Sequence, residues 1–173
     1  VPRDMPVTEM LAKDPAGIIL SGGPKSVHVE GAPSIDPAIY DSDVPVLGIC
    51  YGSQLLAQQL GGGVSRTDSG EYGGTTLTVD VPGLLFGDLP GEQQTWMSHG
   101  DAITAAPEGF VVTASSPGAP VAALENRERG HVGLLRRRVR ASRCEGDLDV
   151  VAGRLRRLLD GRAAGQHDQV GEG

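Results

Sequence analysis

The residues best able to do covalent chemistry sit together in Val44-Pro-Val-Leu-Gly-Ile-Cys50-Tyr-Gly-Ser-Gln54-Leu-Leu-Ala. A short apolar run ends in a cysteine flanked by Gly48 and Gly52, and helix-forming residues follow. That order predicts a strand, a sharp turn and a helix, the layout of a nucleophile elbow with sulfur in place of a serine oxygen. The two glycines keep side chains out of the space where the turn folds back on the strand. The helix aims its unpaired N–H groups and the positive end of its dipole at the thiol, which favours thiolate over thiol. Cys50 is therefore the candidate nucleophile. The plain alternative is a small core residue at a strand end, because cysteine is often buried, but that role does not call for a glycine on each side.

A thiol nucleophile also needs an oxyanion hole, a base and a substrate pocket. Ala16-Gly-Ile-Ile-Leu20 reads as a neighbouring buried strand, and Ser21-Gly-Gly-Pro24 as the loop at its end. The backbone N–H of Gly23, with that of Tyr51 just after the nucleophile, could hold the developing charge. A Gly-Pro turn with no such duty is the alternative. Trp96-Met-Ser98-His99-Gly-Asp101 follows a predicted strand and reads as a polar loop lining a pocket, and Glu71-Tyr72-Gly73 as a second, weaker one. The base has no clear candidate. Of the histidines His28, His99, His131 and His167, none has a carboxylate partner in a setting built to orient it.

The elements that must position these residues read as two kinds. Met5 to Lys13 and Pro37 to Asp41 predict short helices, and Ser53 to Leu60 the helix behind the elbow. The near-continuous apolar runs Ala16 to Leu20 and Val44 to Ile49 predict parallel strands covered on both faces. Gly73 to Val81 alternates with period two, a strand with one face exposed. Further strands are expected at Gln94 to Met97, Phe110 to Ser115 and Val121 to Leu124. The chain is thus α/β, with an antiparallel section appended to a parallel sheet. After Glu125 the pattern weakens. Asp147 to Asp160 has helical spacing, and the last dozen residues look disordered.

Bulk properties narrow the class. A chain of 173 residues fits one domain with a sizeable core, and 3% aromatics with 26 glycines means that core is built from Val, Leu, Ile and Ala. A net charge of -7 argues against nucleic acid as a partner. Two cysteines in unlike contexts give no disulfide framework. No apolar stretch reaches membrane-spanning length and no signal pattern opens the chain, so a cytoplasmic location is expected, with no membrane partner.

Gly-Ile-Ile-Leu-Ser-Gly-Gly-Pro (17 to 24), Gly-Ile-Cys-Tyr-Gly-Ser-Gln (48 to 54), Arg66 with Glu71-Tyr72-Gly73, and Met-Ser-His-Gly-Asp (97 to 101) stand in the order of a known family. From its first residue to about Glu125 the chain resembles the class I glutamine amidotransferase domain of GMP synthases. The resemblance implies a three-layer α/β/α, flavodoxin-like fold. It also implies that Cys50 attacks the side-chain amide of L-glutamine, forming a γ-glutamyl thioester and releasing ammonia. Gly23 and Tyr51 would supply the oxyanion N–H groups, and Gln54, Ser98, His99 and Asp101 would hold the amino-acid end of the substrate. The ammonia would pass to a synthetase (ATP-pyrophosphatase) domain or subunit that aminates XMP to GMP. No metal or cofactor is implied for the amidotransferase domain itself; ATP and magnesium belong to the synthetase.

The chain departs from the family in three ways. It is expected to start after the family's opening strand and helix and to be without the synthetase region. The family's closing Gly-Val-Gln-Phe-His-Pro-Glu, which carries the general base and its orienting glutamate, is replaced by an arginine-rich segment containing Cys144. The domain is therefore assigned to 1–130, and 131–173 to a divergent or frameshifted, partly disordered tail. Some codons for Leu135 to Val139, read one base later, spell Tyr-Gly-Val-Glu-Phe, which fits a frame shift; under that reading Cys144 and the arginine clusters carry no function. With the base missing, glutaminase activity is expected to be weak or absent. A glutamine-binding or partner-binding domain without catalysis, or a non-functional gene fragment, are the competing readings.

Overall fold

The computed structural model describes residues 1–135 apart from Arg3 and Asp88. The helical spacing at 147–160, the arginine clusters from Arg136 onward, Cys144 and His167 lie outside the described residues.

The first elements are short because prolines and polar turns bound them. Helix α1 (Val7–Leu11) starts after Pro6 and buries Val7 and Met10. Strand β1 (Ile18–Leu20) runs parallel to β2 (Val46–Ile49), Ile18 opposite Val46 and Leu20 opposite Gly48. A 3₁₀ turn at Pro37–Asp41 lies between them, opened by the Asp36 carboxylate, which accepts from the Ala38 N–H. Helix α2 (Tyr51–Gln59) starts directly after Cys50, two residues earlier than the sequence pattern suggests. Its residues 51–57 are all buried, because it packs on β1 and β2.

Strands β3 (Gly63–Val79) and β4 (Glu92–Ala105) form a long antiparallel ribbon, followed by β5 (Val111–Ser116), β6 (Ala119–Asn126) and β7 (His131–Leu134). One seven-stranded sheet results, in the order β1-β2-β7-β6-β4-β3-β5. The pairs β1–β2 and β2–β7 are parallel and the rest antiparallel. Because β5 also pairs with β6, the pairings β3–β4, β4–β6, β6–β5 and β5–β3 close on themselves. The architecture is α/β, as the apolar and alternating runs imply.

Two expectations change. Glu71-Tyr72-Gly73 and Ser98-His99-Gly-Asp101, read as loops, lie inside β3 and β4. Their backbones pair with each other, Glu71 opposite His99 and Tyr72 opposite Ser98, past a register irregularity between Arg66 and Glu71. The polar side chains are tolerated there because they find one another across the ladder. The other change is β7, at 131–134, where the pattern reading gives no element. It is fully buried in the middle of the sheet, between β2 and β6.

The buried His131 explains how β7 begins. Its Nε2 lies 3.0 Å from the Tyr40 carbonyl oxygen, and its ring meets the Tyr40 ring edge-on at 5.9 Å. Burial pushes the Tyr40 phenol well above the ordinary tyrosine range. That phenol donates to Gln59 at the end of α2, tying the 3₁₀ turn to the helix. Among the described residues, no helix is long and apolar enough to cross a membrane.

Candidate active site

Cys50 sits at the tip of β2 with φ +52° and ψ -110°, a left-handed conformation that is uncommon for a residue with a side chain. The turn is held from both sides. The Cys50 N–H donates to the Leu134 carbonyl of β7 at 2.8 Å, and the Cys50 carbonyl accepts from Ser53 and Gln54 in the first turn of α2. The closeness of the crossing explains the glycines. A Cβ on Gly48 would lie 2.7 Å from the Gly52 carbonyl oxygen, and one on Gly52 would lie 2.5 Å from the Leu20 carbonyl carbon.

The loop after β1 lies beside the elbow. A Cβ on Gly22 would be 3.3 Å from Cys50 Cβ and 4.0 Å from its Sγ, and one on Gly23 would be 3.8 Å from Tyr51 Cβ. The chain segments carrying Gly23 and Tyr51 therefore meet within van der Waals reach of the thiol. Tyr51 is buried and its phenol donates to the Pro33 carbonyl, which fixes the first residue of the helix.

Gln54 lies one helical turn beyond Cys50, and its side-chain amide donates to the Asp101 carbonyl of β4 at 2.7 Å in the interior. This bond joins the elbow helix to the strand that carries the other polar candidates. Replacing Gln54 by leucine would leave that carbonyl without its donor, so Gln54→Leu should lower stability by about 2 kcal/mol. A urea midpoint shifted down at unchanged slope would register the loss; no shift would mean the bond is not holding β4 to α2.

The β4 candidates divide by face. His99 and Asp101 are buried with Met97 on one face, and Ser98 falls between them on the other, because side chains alternate along a strand. His99 Nε2 lies 3.2 Å from Glu71 Oε2. Glu71, given only a weak loop role by the sequence, turns out to be part of the buried polar cluster; its partners Ser116 and Gly118 come from the β5–β6 turn, which nothing local could have revealed.

The three described histidines are each engaged at a distinct place. His28 Nε2 lies 3.0 Å from the Val64 carbonyl, and His99 meets Glu71. His131 meets the Tyr40 carbonyl at the start of β7, opposite Val46, while Cys50 follows the other end of β2. Four residues of strand separate those positions, roughly 13 Å.

A cysteine held in a left-handed turn between a parallel strand and a helix, with a glycine loop from the next strand against it, defines a cysteine-elbow α/β domain. The chain belongs to the glutamine amidotransferase class-I family, whose model matches residues 1–134. It is 61% identical over 134 residues to a GMP synthase [glutamine-hydrolyzing] of Parafrankia sp. and 58% identical over 134 residues to that of Mycobacterium leprae. Each match covers 78% of this chain and 25% of the relative, so the chain spans a quarter of the length of these curated relatives. A solved structure of a GMP synthase component from Thermoplasma acidophilum matches with TM-score 0.77 and 26% identity, over 96% of this chain and 83% of that one. A glutamine amidotransferase of Thermotoga maritima shares the fold, with TM-score 0.61 and 23% identity over 83% of this chain and 69% of that one.

Proposed function

We propose that the chain is the glutamine-hydrolysing part of a GMP-synthase-type ligase. The Cys50 thiolate attacks the side-chain amide carbon of L-glutamine. The carbon–nitrogen bond breaks, and ammonia leaves with a proton from the site. A γ-glutamyl thioester remains, which water opens to glutamate and the free thiol. The N–H groups of Gly23 and Tyr51 stabilise the oxyanion at both stages, and Gln54, Ser98, His99 and Asp101 hold the amino-acid end. The ammonia goes to a synthetase domain or subunit that uses ATP and magnesium to aminate XMP, in the cytoplasm; the domain itself needs no cofactor. The observation that carries this reading is the left-handed Cys50 against the Gly22-Gly23 loop.

The rate is a separate matter. In place of the segment that carries the family's base, this sequence has Leu135-Arg-Arg-Arg-Val-Arg-Ala-Ser, and general base catalysis is worth about 10²- to 10⁴-fold. The chain is expected to hydrolyse glutamine at a few per cent or less of the rate of an intact domain. Ammonia and glutamate release, followed beside such a domain, tests this; faster turnover would mean that a base is present after all. The engagement of His28, His99 and His131 elsewhere favours one second reading, a domain that binds glutamine without hydrolysing it. Thermal stabilisation by glutamine with no product at all would select it.

A further inference from the structure

The Glu71 carboxylate gathers groups from three elements. Its Oε1 accepts from the Thr75 hydroxyl at 3.2 Å and the Gly118 N–H at 3.1 Å. Its Oε2 accepts from the Ser116 hydroxyl at 2.6 Å and lies 3.2 Å from His99 Nε2. The His99 side chain is 2% exposed. An ionised carboxylate only accepts, so the nitrogen of a neutral imidazole that faces it must carry the proton. The contact has ion-pair distance without hydrogen-bond alignment.

With the proton on Nε2, Nδ1 is an acceptor, and it has no hydrogen-bond partner among the described residues. A buried acceptor left without a donor is costly. Two residues along, on the same buried face of β4, lies the carboxylate residue Asp101. A buried lone pair on the same face as a carboxylate side chain suits a positively charged N–H donor. Of the groups on glutamine, that is the α-ammonium.

We infer that Glu71 is a positioning residue for glutamine: it fixes His99 as the Nε2–H tautomer, so that Nδ1 accepts from the α-ammonium next to Asp101. The inference rests on the glutamine reading above. It also implies an inversion. In Glu71→Gln the Gly118 N–H, which can only donate, must face the amide oxygen. The amide NH₂ then takes the place of Oε2 and donates to His99 Nε2, which moves the ring proton to Nδ1 and closes the acceptor.

The test uses the whole chain with ¹⁵N-labelled histidine, at about pH 8, where an ordinary imidazole is neutral. Expected for the wild type is an Nε2–H spectrum for His99, with the Nδ1 resonance shifted by glutamine. Glu71→Gln should give the Nδ1–H pattern and bind glutamine about tenfold or more weakly by calorimetry. Ser116→Ala removes a neighbour of the carboxylate without touching the ring proton, and should keep the Nε2–H pattern and an affinity within about threefold. A wild-type ring that is Nδ1–H or doubly protonated overturns the inference. So does a tautomer flip that leaves affinity unchanged, or an equal loss in Ser116→Ala, which would make Glu71 merely structural. If Glu71→Gln does not fold, the wild type decides alone: an unshifted Nδ1 in glutamine-saturated protein overturns the role. An Nε2–H ring in a protein that binds no glutamine overturns the glutamine reading and the ligand with it, and leaves the Glu71–His99 pairing standing.

Discussion

Gly52→Ala should unfold the domain or cost about 4 kcal/mol or more. The added methyl would meet the carbonyl carbon and oxygen of Leu20, and both belong to the backbone of β1. A flexible side chain could rotate away from such a clash, but a paired strand cannot. Relief requires α2 to lift from β1, which would carry Cys50 and Gln54 out of register with the Gly22-Gly23 loop and with Asp101. A domain of this size holds only about 5–15 kcal/mol in total, so the loss is large against the whole. The comparison is Gly74→Ala in the exposed ribbon, where a methyl meets nothing within 4 Å and the expected change is within about 0.5 kcal/mol. Thermal melts of both variants beside the parent check the pair. Equal melting temperatures would mean that the crossing at the elbow is looser than its geometry implies.

That crossing is legible in the sequence because its cause is local. Only glycine tolerates the approach, so Gly48-Ile-Cys50-Tyr-Gly52 announces a strand folding back under a helix. The two apolar runs before it are equally clear. The ribbon misleads for the opposite reason. Period-two alternation marks a strand with one wet face, but β3 and β4 bury Glu71, His99 and Asp101 on the inner side. Charge at those positions looks like a loop until the partners across the ladder are known. For Glu71 those partners are His99 on β4 and Ser116 and Gly118 at the end of β5, the last two 45 and 47 residues further along the chain.

Strand β7 escapes for a third reason. His131-Val-Gly-Leu134 is a four-residue run next to a block of arginines, and the change in composition outweighs so short a signal. It belongs in the sheet because Val46 to Ile49 offers a free parallel edge and the Asn126–His131 turn delivers the chain to it. Its C-terminal end also braces the elbow. The Leu134 carbonyl holds the Cys50 N–H, and the Leu135 N–H bonds Ala122 on the other side.

Under the proposal of an elbow without its base, the effect of Cys50→Ala becomes conditional. Residues that act as a unit are strongly non-additive: once one is gone, removing the next costs little. In plain buffer the parent and Cys50→Ala should therefore both turn glutamine over slowly. Adding imidazole, a diffusible base, should raise the parent by about tenfold or more, because general base help is worth about 10²- to 10⁴-fold when positioned. Cys50→Ala should not respond, since it has no thiol to activate and no thioester to open. Alkylation provides a second readout. Iodoacetamide should label Cys50 in the parent, glutamine should slow that labelling, and the glutamine-protected adduct should vanish in Cys50→Ala. An imidazole response that survives in the variant would place the hydrolysis elsewhere than Cys50. A parent that is protected by glutamine yet unmoved by imidazole would instead favour a domain that holds its ligand and does no chemistry on it.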